Sequence, residues 1–386
     1  MKENKILLAE PVIETKKANV LIKQVLKANF PNEGKFAKLF EKKISLLLKT
    51  KYVVTATSGT ISIFLALKAL GIKKNDEVIV PNITFPATAN AVELTGATPV
   101  LADINKSNLL IDENAIIKKI NKKTKAIIAV HMSGRGNNIK NIVKIAKRKK
   151  IYLVEDAAEA FMSKYENKYL GTFGDMGCFS FAPNKIITTG QGGVIVTNNK
   201  SLYKKLIRLK DQGREGPTTG GEDNYVSFGY NFKFTNLQAA LGLSQLDNIK
   251  KRASILKNHY KFYKKNLIEN KNFKLIGFNL KKGELPLWTD VYCNKRNQLF
   301  HFLKKQGINC RYFWYPLNTC KPYKQSFSGL NNSKQLYRKL MWLPSSLNLT
   351  KDNLIKICNQ INKFNSKKLI KNYQLFFQFL MKKKAF

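Results

Sequence analysis

One lysine stands in the segment of this sequence that is best suited to chemistry, residues 177–197. An apolar stretch, 178–181, precedes Lys185, and a glycine-rich turn and the β-branched residues 194–196 follow it. This order predicts two buried strands joined by a loop that carries the lysine. Removal from water disfavours the charged form of an amine, and a neutral amine can attack a carbonyl carbon. Lys185 is therefore either such a nucleophile or a surface residue among the 68 lysines and arginines of the chain.

Three residues at a second predicted strand end could bind an anion. Ser58, Gly59 and Thr60 follow the strand-like run 52–56 and precede residues 61–70, whose apolar spacing is helical. The N–H groups of a first helical turn have no partner within the helix, so they favour an anion, and two hydroxyl groups add donors. The alternative interpretation is an ordinary serine or threonine helix cap.

Three more predicted strands end in residues that could take part in a site. Asp156 follows an apolar run, and its carboxylate could coordinate a metal, act as a base or pair with a protonated nitrogen. A metal is not favoured, because the sequence has no second acidic cluster and only three histidines. Phe85 could stack on a planar cofactor or belong to the core, and His131 is either a structural residue or a site residue.

The composition predicts a folded globular chain with an unusual charge. Of its 386 residues, 44% are hydrophobic, and the net charge is +43. Such a charge favours nucleic-acid or membrane binding, but the lysines are spread over every predicted helix without a nucleic-acid motif, so we expect no specific nucleic-acid partner. Five cysteines without a C-x-x-C pair, no signal peptide and no run of transmembrane length predict a cytoplasmic protein with reduced thiols.

Strands alternate with helices through most of the chain, which favours a mainly parallel sheet with its ligands at the carboxyl ends of the strands. Two helices are predicted within 14–50. A long helix from 236 to about 267 would contain the boundary to a second lobe, which would have strands at 285–293 and 308–315. Two further segments are expected to be a mobile loop, 213–223, and a terminal helix that includes 375–381.

Six short motifs in this order resemble the DegT/DnrJ/StrS-type sugar aminotransferases, which are fold-type-I pyridoxal-phosphate enzymes. The resemblance extends from about residue 29 to residue 361. It implies an α/β fold with a large domain, 1–245, which contains the N-terminal helices and a mainly parallel seven-stranded sheet, and a smaller α+β domain, 246–386. The motifs are 57–60, 81–85, 155–159, 179–193 with Lys185, 229–232 and 343–345.

The resemblance implies a role for each matched residue. Lys185 would bind the aldehyde of pyridoxal 5'-phosphate and carry the proton at the reacting carbon, while Asp156 would pair with the pyridine nitrogen. Phe85 would stack on the ring, and Glu159 would lie near the phenolic oxygen. The phosphate would be held by Ser58, Gly59, Thr60 and Ser180, and by Asn231 of a neighbouring subunit. The implied assembly is therefore a homodimer with shared active sites.

The candidate substrate residues depart from the family's pattern. Gln191 stands where the family usually has Glu, and Lys233 stands where Arg is common, which removes a bidentate donor. Gln212 and Asn318 stand where His is frequent. These departures leave the nucleotide, the sugar and the aminated carbon open. The residues expected to face the substrate are His131, Gln191, Tyr315 and Asn318.

The implied reaction is a two-stage transamination. An amino-acid donor, by resemblance glutamate, would convert the cofactor to pyridoxamine 5'-phosphate, and a nucleotide-linked keto-sugar would then receive the amino group. Residues 288–292 with 313–317 look like the branch that makes 4-amino sugars of the perosamine kind. The alternatives are a sugar dehydratase of the same family, in which His replaces the lysine, and a noncatalytic regulator or basic binding protein that retains the scaffold.

Overall fold

The computed structural model of the chain describes residues 5–136, 138–216 and 224–366. The segment expected to be a mobile loop, 213–223, lies largely outside these ranges, and the terminal helix expected around 375–381 lies wholly outside them. Within the described ranges, no helix is both long enough and apolar enough to cross a membrane.

Across the described ranges, the strands form one large sheet, one smaller sheet and two short two-stranded pairs. Their bounds are β1 (Tyr52–Ala56), β2 (Glu77–Pro81), β3 (Thr98–Ala102), β4 (Thr124–Val130), β5 (Tyr152–Asp156), β6 (Lys164–Tyr165), β7 (Lys168–Tyr169), β8 (Met176–Ser180), β9 (Gly193–Thr197), β10 (Arg214–Glu215), β11 (Asn224–Tyr225), β12 (Phe273–Leu275), β13 (Thr289–Cys293), β14 (Arg311–Tyr312) and β15 (Leu340–Leu343).

The large sheet has seven strands, the number that the family resemblance implies, and their order is β1-β9-β8-β5-β4-β2-β3. All of its strands run in one direction except β9, which is antiparallel to both of its neighbours. The residues of β8 and β9 are almost entirely buried, in agreement with their apolar and β-branched composition. The carboxyl ends of the parallel strands therefore meet along one edge, where Ser58, His131, Asp156 and Ser180 lie.

Helices pack against the large sheet and share a hydrophobic core with the smaller one. Their bounds are α1 (Thr15–Lys27), α2 (Lys35–Leu48), α3 (Gly59–Ala69), α4 (Ala87–Glu93), α5 (Glu113–Lys119), α6 (Ile139–Lys149), α7 (Lys200–Lys210), α8 (Asn236–Leu246), α9 (Ile249–Asn266), α10 (Arg296–Lys305), α11 (Asn331–Leu336) and α12 (Lys351–Asn365). The helices that share the core of the smaller sheet are α9, α10 and α12. The two helices predicted within 14–50 are confirmed by α1 and α2.

The prediction of one continuous helix from 236 to about 267 is wrong. The stretch is divided into α8 and α9 at Asp247 and Asn248, two residue types that compete with helical hydrogen bonding. The carboxylate of Asp247 instead accepts hydrogen bonds from Lys17 and Lys43, which ties the end of α8 to the N-terminal helices. The division into domains at 245/246 stays a prediction.

The smaller sheet has the order β12-β13-β15-β14 and is antiparallel throughout. Its strands are shorter than the sequence predicts. Residues 285–288 lie before β13 because they pack against the turn after β4, where the N–H of Leu287 donates to the carbonyl of Ser133 at 3.0 Å. Ile308, predicted to begin a strand, instead bridges Ile6 near the N-terminus.

The contact between residues 133–136 and residues 284–290, which we call the clasp, joins the large sheet to the C-terminal part of the chain. Gly134 has a φ of +98°, and a Cβ atom there would lie 2.0 Å from the carbonyl oxygen of Leu285. The N–H of Gly136 donates to the carboxylate of Glu284 at 2.9 Å. The clasp therefore needs a glycine at 134 both for its backbone conformation and for the close approach of the two segments.

We predict that Gly134→Ala lowers the free energy of unfolding by at least about 3 kcal/mol, since it combines a left-handed backbone with a backbone clash. Gly71→Ala is the matched control, because Gly71 has a φ of +85° but no atom within 4 Å of an added Cβ. That control should cost only about 1 kcal/mol. Urea denaturation followed by circular dichroism measures both, and equal losses would contradict a tight clasp.

Candidate active site

The turn between β1 and α3 lies against the end of β8. Ser58 caps α3, and its hydroxyl accepts a hydrogen bond from the N–H of Ile61 at 3.2 Å. A Cβ atom on Gly59 would lie 2.8 Å from the Cβ of Ser180, so only glycine allows this approach. The start of α3 and the Ser180 side chain thus occupy one small region. Free N–H groups and hydroxyls in this arrangement suit a phosphate group.

Asp156, the last residue of β5, is a buried carboxylate. Its oxygens accept hydrogen bonds from the Thr88 hydroxyl at 2.7 Å and from the N–H of Ala158 at 3.2 Å. Burial raises the pKa of Asp156, while these two donors and the nearby charges of Lys185 and His131 act in the opposite direction. A cationic partner at this position would favour the ionised carboxylate.

Lys185 lies in the loop between β8 and β9, with its side chain 12% exposed and its Nζ 3.9 Å from Oε1 of Glu159. The lysine is therefore not an exposed surface residue, and its role as a nucleophile stays a prediction. Burial raises the pKa of Glu159, and the charge of Lys185 and the N–H of Ser133 oppose that rise. The two side chains line a small pocket together with Ala158, Phe161, Ser180, Ile186, Leu285 and Leu287.

Two N–H donors from distant parts of the chain hold the Glu159 carboxylate. The backbone N–H of Ser133 donates to Oε2 at 2.8 Å, and the indole N–H of Trp288 donates to Oε1 at 3.2 Å. Sequence reasoning assigned no role to either donor. Trp288 lies in the segment 288–292, but nothing in the sequence shows that its N–H reaches Glu159, because the contact spans 129 positions of the chain, from 159 to 288.

Phe85 follows β2 and is 51% exposed. On one side it packs against Trp314, with ring centroids 4.9 Å apart. The guanidinium of Arg311 lies 4.3 Å from the centre of the Trp314 ring, so a cation lies beside these two aromatic rings. Tyr315, which follows Trp314 in the chain, is also exposed. The roles expected for Phe85 and Tyr315 stay predictions, and no signal in the sequence marked Arg311 among so many basic residues.

The structure does not bring His131 or Asn318 to the pocket surface. The ring nitrogens of His131 lie 2.7 Å from the carboxylate of Glu155 and 3.2 Å from the carbonyl of Arg135. Asn318 is buried against Asn82. Its side-chain oxygen accepts a hydrogen bond of 3.0 Å from the side-chain amide of Asn82, and its backbone N–H donates to the side-chain oxygen of Asn82 at 3.1 Å. Both residues therefore have their polar atoms engaged within the protein.

The remaining candidates lie on exposed segments. The side chain of Gln191 is exposed, and its backbone carbonyl accepts hydrogen bonds from Thr189 and Gln238.

Asn231 is exposed and forms an isolated bridge with Asp211. The carboxylate of Asp211 accepts a hydrogen bond of 2.7 Å from Lys233. Within the described ranges, no hydrogen bond or ion pair joins Asn231 to Lys185.

Comparison with known proteins identifies the family. The model of the DegT/DnrJ/EryC1/StrS aminotransferase family matches residues 12–362. The chain belongs to this family. It is 36% identical over 341 residues to the GDP-perosamine synthase of Escherichia coli O157:H7, a match that covers 87% of this chain and 92% of the relative. The GDP-perosamine synthase of Vibrio cholerae is 35% identical, with 86% of this chain and 92% of the relative covered.

Solved structures agree with this assignment. An aminotransferase of Helicobacter pylori involved in the biosynthesis of pseudoaminic acid superposes with a TM-score of 0.87 at 28% identity, covering 93% of this chain and 99% of that one. The expected fold type is thereby confirmed. Because the family depends on pyridoxal phosphate, the chain is a pyridoxal-phosphate-dependent sugar aminotransferase. The dehydratase and the noncatalytic alternatives are not favoured.

We predict that Thr88→Val weakens the binding of pyridoxal phosphate about tenfold or more, since it removes a hydrogen bond to the ionised form of Asp156 and leaves that acid harder to ionise. The matched control is Thr124→Val, because Thr124 is buried at the opposite end of the sheet, where its hydroxyl accepts the N–H of Asn121. Titration of the cofactor-free protein, followed by absorbance, gives both dissociation constants. Equal affinities of the two variants would contradict a role for Thr88.

Proposed function

We propose that the protein transfers an amino group from glutamate to a GDP-linked 4-keto-6-deoxysugar and releases a keto acid and a GDP-linked 4-amino sugar. The observation that carries this proposal is the 3.9 Å pairing of Lys185 with Glu159 in a chain that is 36% identical to a GDP-perosamine synthase. The nucleotide is the part of this proposal that a comparison of GDP-, UDP- and dTDP-linked sugars tests.

The described residues fit pyridoxal phosphate, and each would meet a different part of it. We propose that Lys185 bonds to the aldehyde and that Asp156, as a buried carboxylate, pairs with the pyridine nitrogen. The half-exposed ring of Phe85 offers a flat apolar surface to the cofactor ring. The phosphate would be held at the close approach of α3 and β8 by Ser58, Gly59, Thr60 and Ser180.

When bound, the cofactor supplies an electron sink for the carbon that loses its proton. The chain supplies the proton transfer and the environment. The amine of Lys185 would take the proton from the α carbon of glutamate in the first half of the reaction, and in the second half it would deliver a proton to the sugar carbon that receives the amino group. The carboxyl group of Glu159, 3.9 Å from the Lys185 amine, places an acid beside that amine. Burial around the pocket limits access of water.

We propose which residues contact the substrate from the exposure of their side chains. Gln191 and Tyr315 have exposed side chains and are free to meet the sugar or nucleotide. The ring of His131 is engaged with Glu155 and its backbone N–H donates to the carbonyl of Asp156 at 3.0 Å, and we propose a supporting role for it. The side chain of Asn318 is hydrogen-bonded to Asn82, and we propose that it supports the substrate site without direct contact to the substrate.

We propose a homodimer in which Asn231 reaches the phosphate in the partner's site. The segment that leads to it, 224–230, exposes aromatic side chains, among which Phe228 is 77% exposed. A second copy of the chain would cover such apolar surface. We also propose a cytoplasmic location, since all five cysteines are free thiols.

The proposed substrate predicts a specific result in a steady-state assay. With glutamate as donor, a GDP-linked 4-keto-6-deoxysugar should be aminated with a kcat/KM at least about tenfold above the UDP- and dTDP-linked analogues. Lys185→Arg keeps the positive charge but cannot bond to the aldehyde, so it should lose at least about 1,000-fold in kcat. Turnover only on another nucleotide would replace the substrate, and turnover on none would overturn this proposal.

A shared active site predicts complementation between two damaged chains. Lys185→Ala and Asn231→Ala homodimers should each be impaired, whereas a hybrid dimer would contain one site with both substitutions and one intact site. Random mixing should therefore restore about a quarter of the wild-type activity. Mixing two Lys185→Ala preparations that carry different affinity tags is the control. No recovery in verified hybrid dimers would place Asn231 in the site of its own chain.

A further inference from the structure

Glu159 has a neighbour whose role the proposed function leaves open. Its Oε1 atom lies between Lys185 Nζ, at 3.9 Å, and the indole nitrogen of Trp288, at 3.2 Å. The carboxylate is only 9% exposed, so water cannot replace a lost donor freely. A charged acceptor in such surroundings depends strongly on each hydrogen bond that it receives.

The indole of Trp288 is fixed by packing. Its ring is buried and stacks on Trp342, with centroids 5.0 Å apart and an angle of 14° between the planes. Its neighbour Leu287 is anchored, because the Leu287 N–H donates to the carbonyl of Ser133. The direction of the indole N–H is therefore set before any ligand binds.

The clasp sets the second donor at the same time. Ser133 has a φ of +56°, a conformation that a non-glycine residue rarely adopts, and its hydroxyl donates to Asp290 at 2.9 Å. Asp290 is also paired with the buried guanidinium of Arg135, which donates to the carbonyls of residues 276 and 277. Backbone strain at Ser133 is thus held by a buried ion pair, and its N–H points at Glu159.

We propose that Trp288 is a positioning residue whose indole N–H holds the Glu159 carboxylate toward Lys185. The inference rests on the proposed bond between Lys185 and the cofactor. Through this hydrogen bond, the segment that leads into β13 controls the negative charge beside the amine of Lys185. Trp288 itself needs no contact with the substrate or the cofactor for this effect.

The charges around Glu159 give the direction of the effect. Lys185 and Arg311 are the cations that interact with it, and Asp290 is the acid that raises its pKa. Loss of the indole N–H makes ionised Glu159 less favourable or lets it turn away from Lys185. Either change reduces the negative charge beside the nitrogen that links Lys185 to the cofactor, so that nitrogen releases its proton at lower pH.

The test is a pH titration of the visible absorption band of the full chain loaded with pyridoxal phosphate. Trp288→Phe retains an aromatic ring against Trp342 but lacks the N–H. It should lower the midpoint of the titration by about one pH unit, a tenfold change in proton affinity. Replacement of Trp288 by benzothienylalanine, which has nearly the same shape but no N–H, keeps the test valid where the phenylalanine variant does not fold.

Two comparisons separate positioning from packing. Trp342→Phe replaces the other ring of the Trp288–Trp342 stack but keeps the indole N–H of Trp288 that donates to Glu159. Its midpoint should therefore stay within about 0.3 pH units of the wild type. Glu159→Gln should lower the midpoint at least as much as Trp288→Phe, and the double substitution should add nothing further. A Trp288 effect that persists in the Glu159→Gln background would overturn the inference.

The outcomes also separate this inference from the proposed function. No visible band at all on addition of the cofactor would show that the bond between Lys185 and the cofactor does not form, which overturns both. A normal band with an unchanged midpoint in Trp288→Phe and a lowered midpoint in Glu159→Gln would overturn the role of Trp288 alone. A lowered midpoint in both single variants, without addition in the double variant, supports the positioning role.

Discussion

The approach of the Glu159 carboxylate to Lys185 inside the protein is the interaction on which the rest of the site depends. Burying an ionised carboxylate costs several kcal/mol unless donors and an opposite charge compensate it. Here the compensation comes from a lysine at 3.9 Å, a backbone N–H at 2.8 Å and an indole N–H at 3.2 Å. These groups come from the β8–β9 loop, the turn after β4 and the entry to β13, so the pair exists only when all three are assembled.

Three buried acids, Asp156, Glu159 and Asp290, have pKa values raised above their ordinary values, and burial is the largest cause for each. A raised folded-state pKa means that ionisation opposes folding. The resulting loss of stability develops as the pH rises from the ordinary carboxyl range through the folded pKa. The cofactor-free protein carries this cost for Asp156, and a protonated pyridine nitrogen beside it would reduce the cost. If Asp156 pairs with the pyridine nitrogen as proposed, stability and cofactor binding are linked through the same carboxylate.

Much of this arrangement could be predicted from the sequence, because local rules apply to it. An alternation of strands and helices places residues at the carboxyl ends of a parallel sheet, and Ser58, Asp156 and Ser180 lie there. Contacts between distant segments gave no such signal. The indole N–H of Trp288 and the strained Ser133 could not be found without the clasp. The buried partners of His131 and Asn318 likewise appear only in three dimensions, and Asp247 interrupts a helix that periodicity alone continues.

The central claim is that this fold selects Lys185 among 68 lysines and arginines to bond to the cofactor aldehyde. Borohydride reduction of the protein loaded with pyridoxal phosphate, followed by proteolysis and mass spectrometry, tests it most directly. The account predicts a single pyridoxyl group per chain, on the peptide that contains Lys185. A pyridoxyl group on another lysine as the main product, or none on Lys185 in protein that shows the visible band, would contradict it.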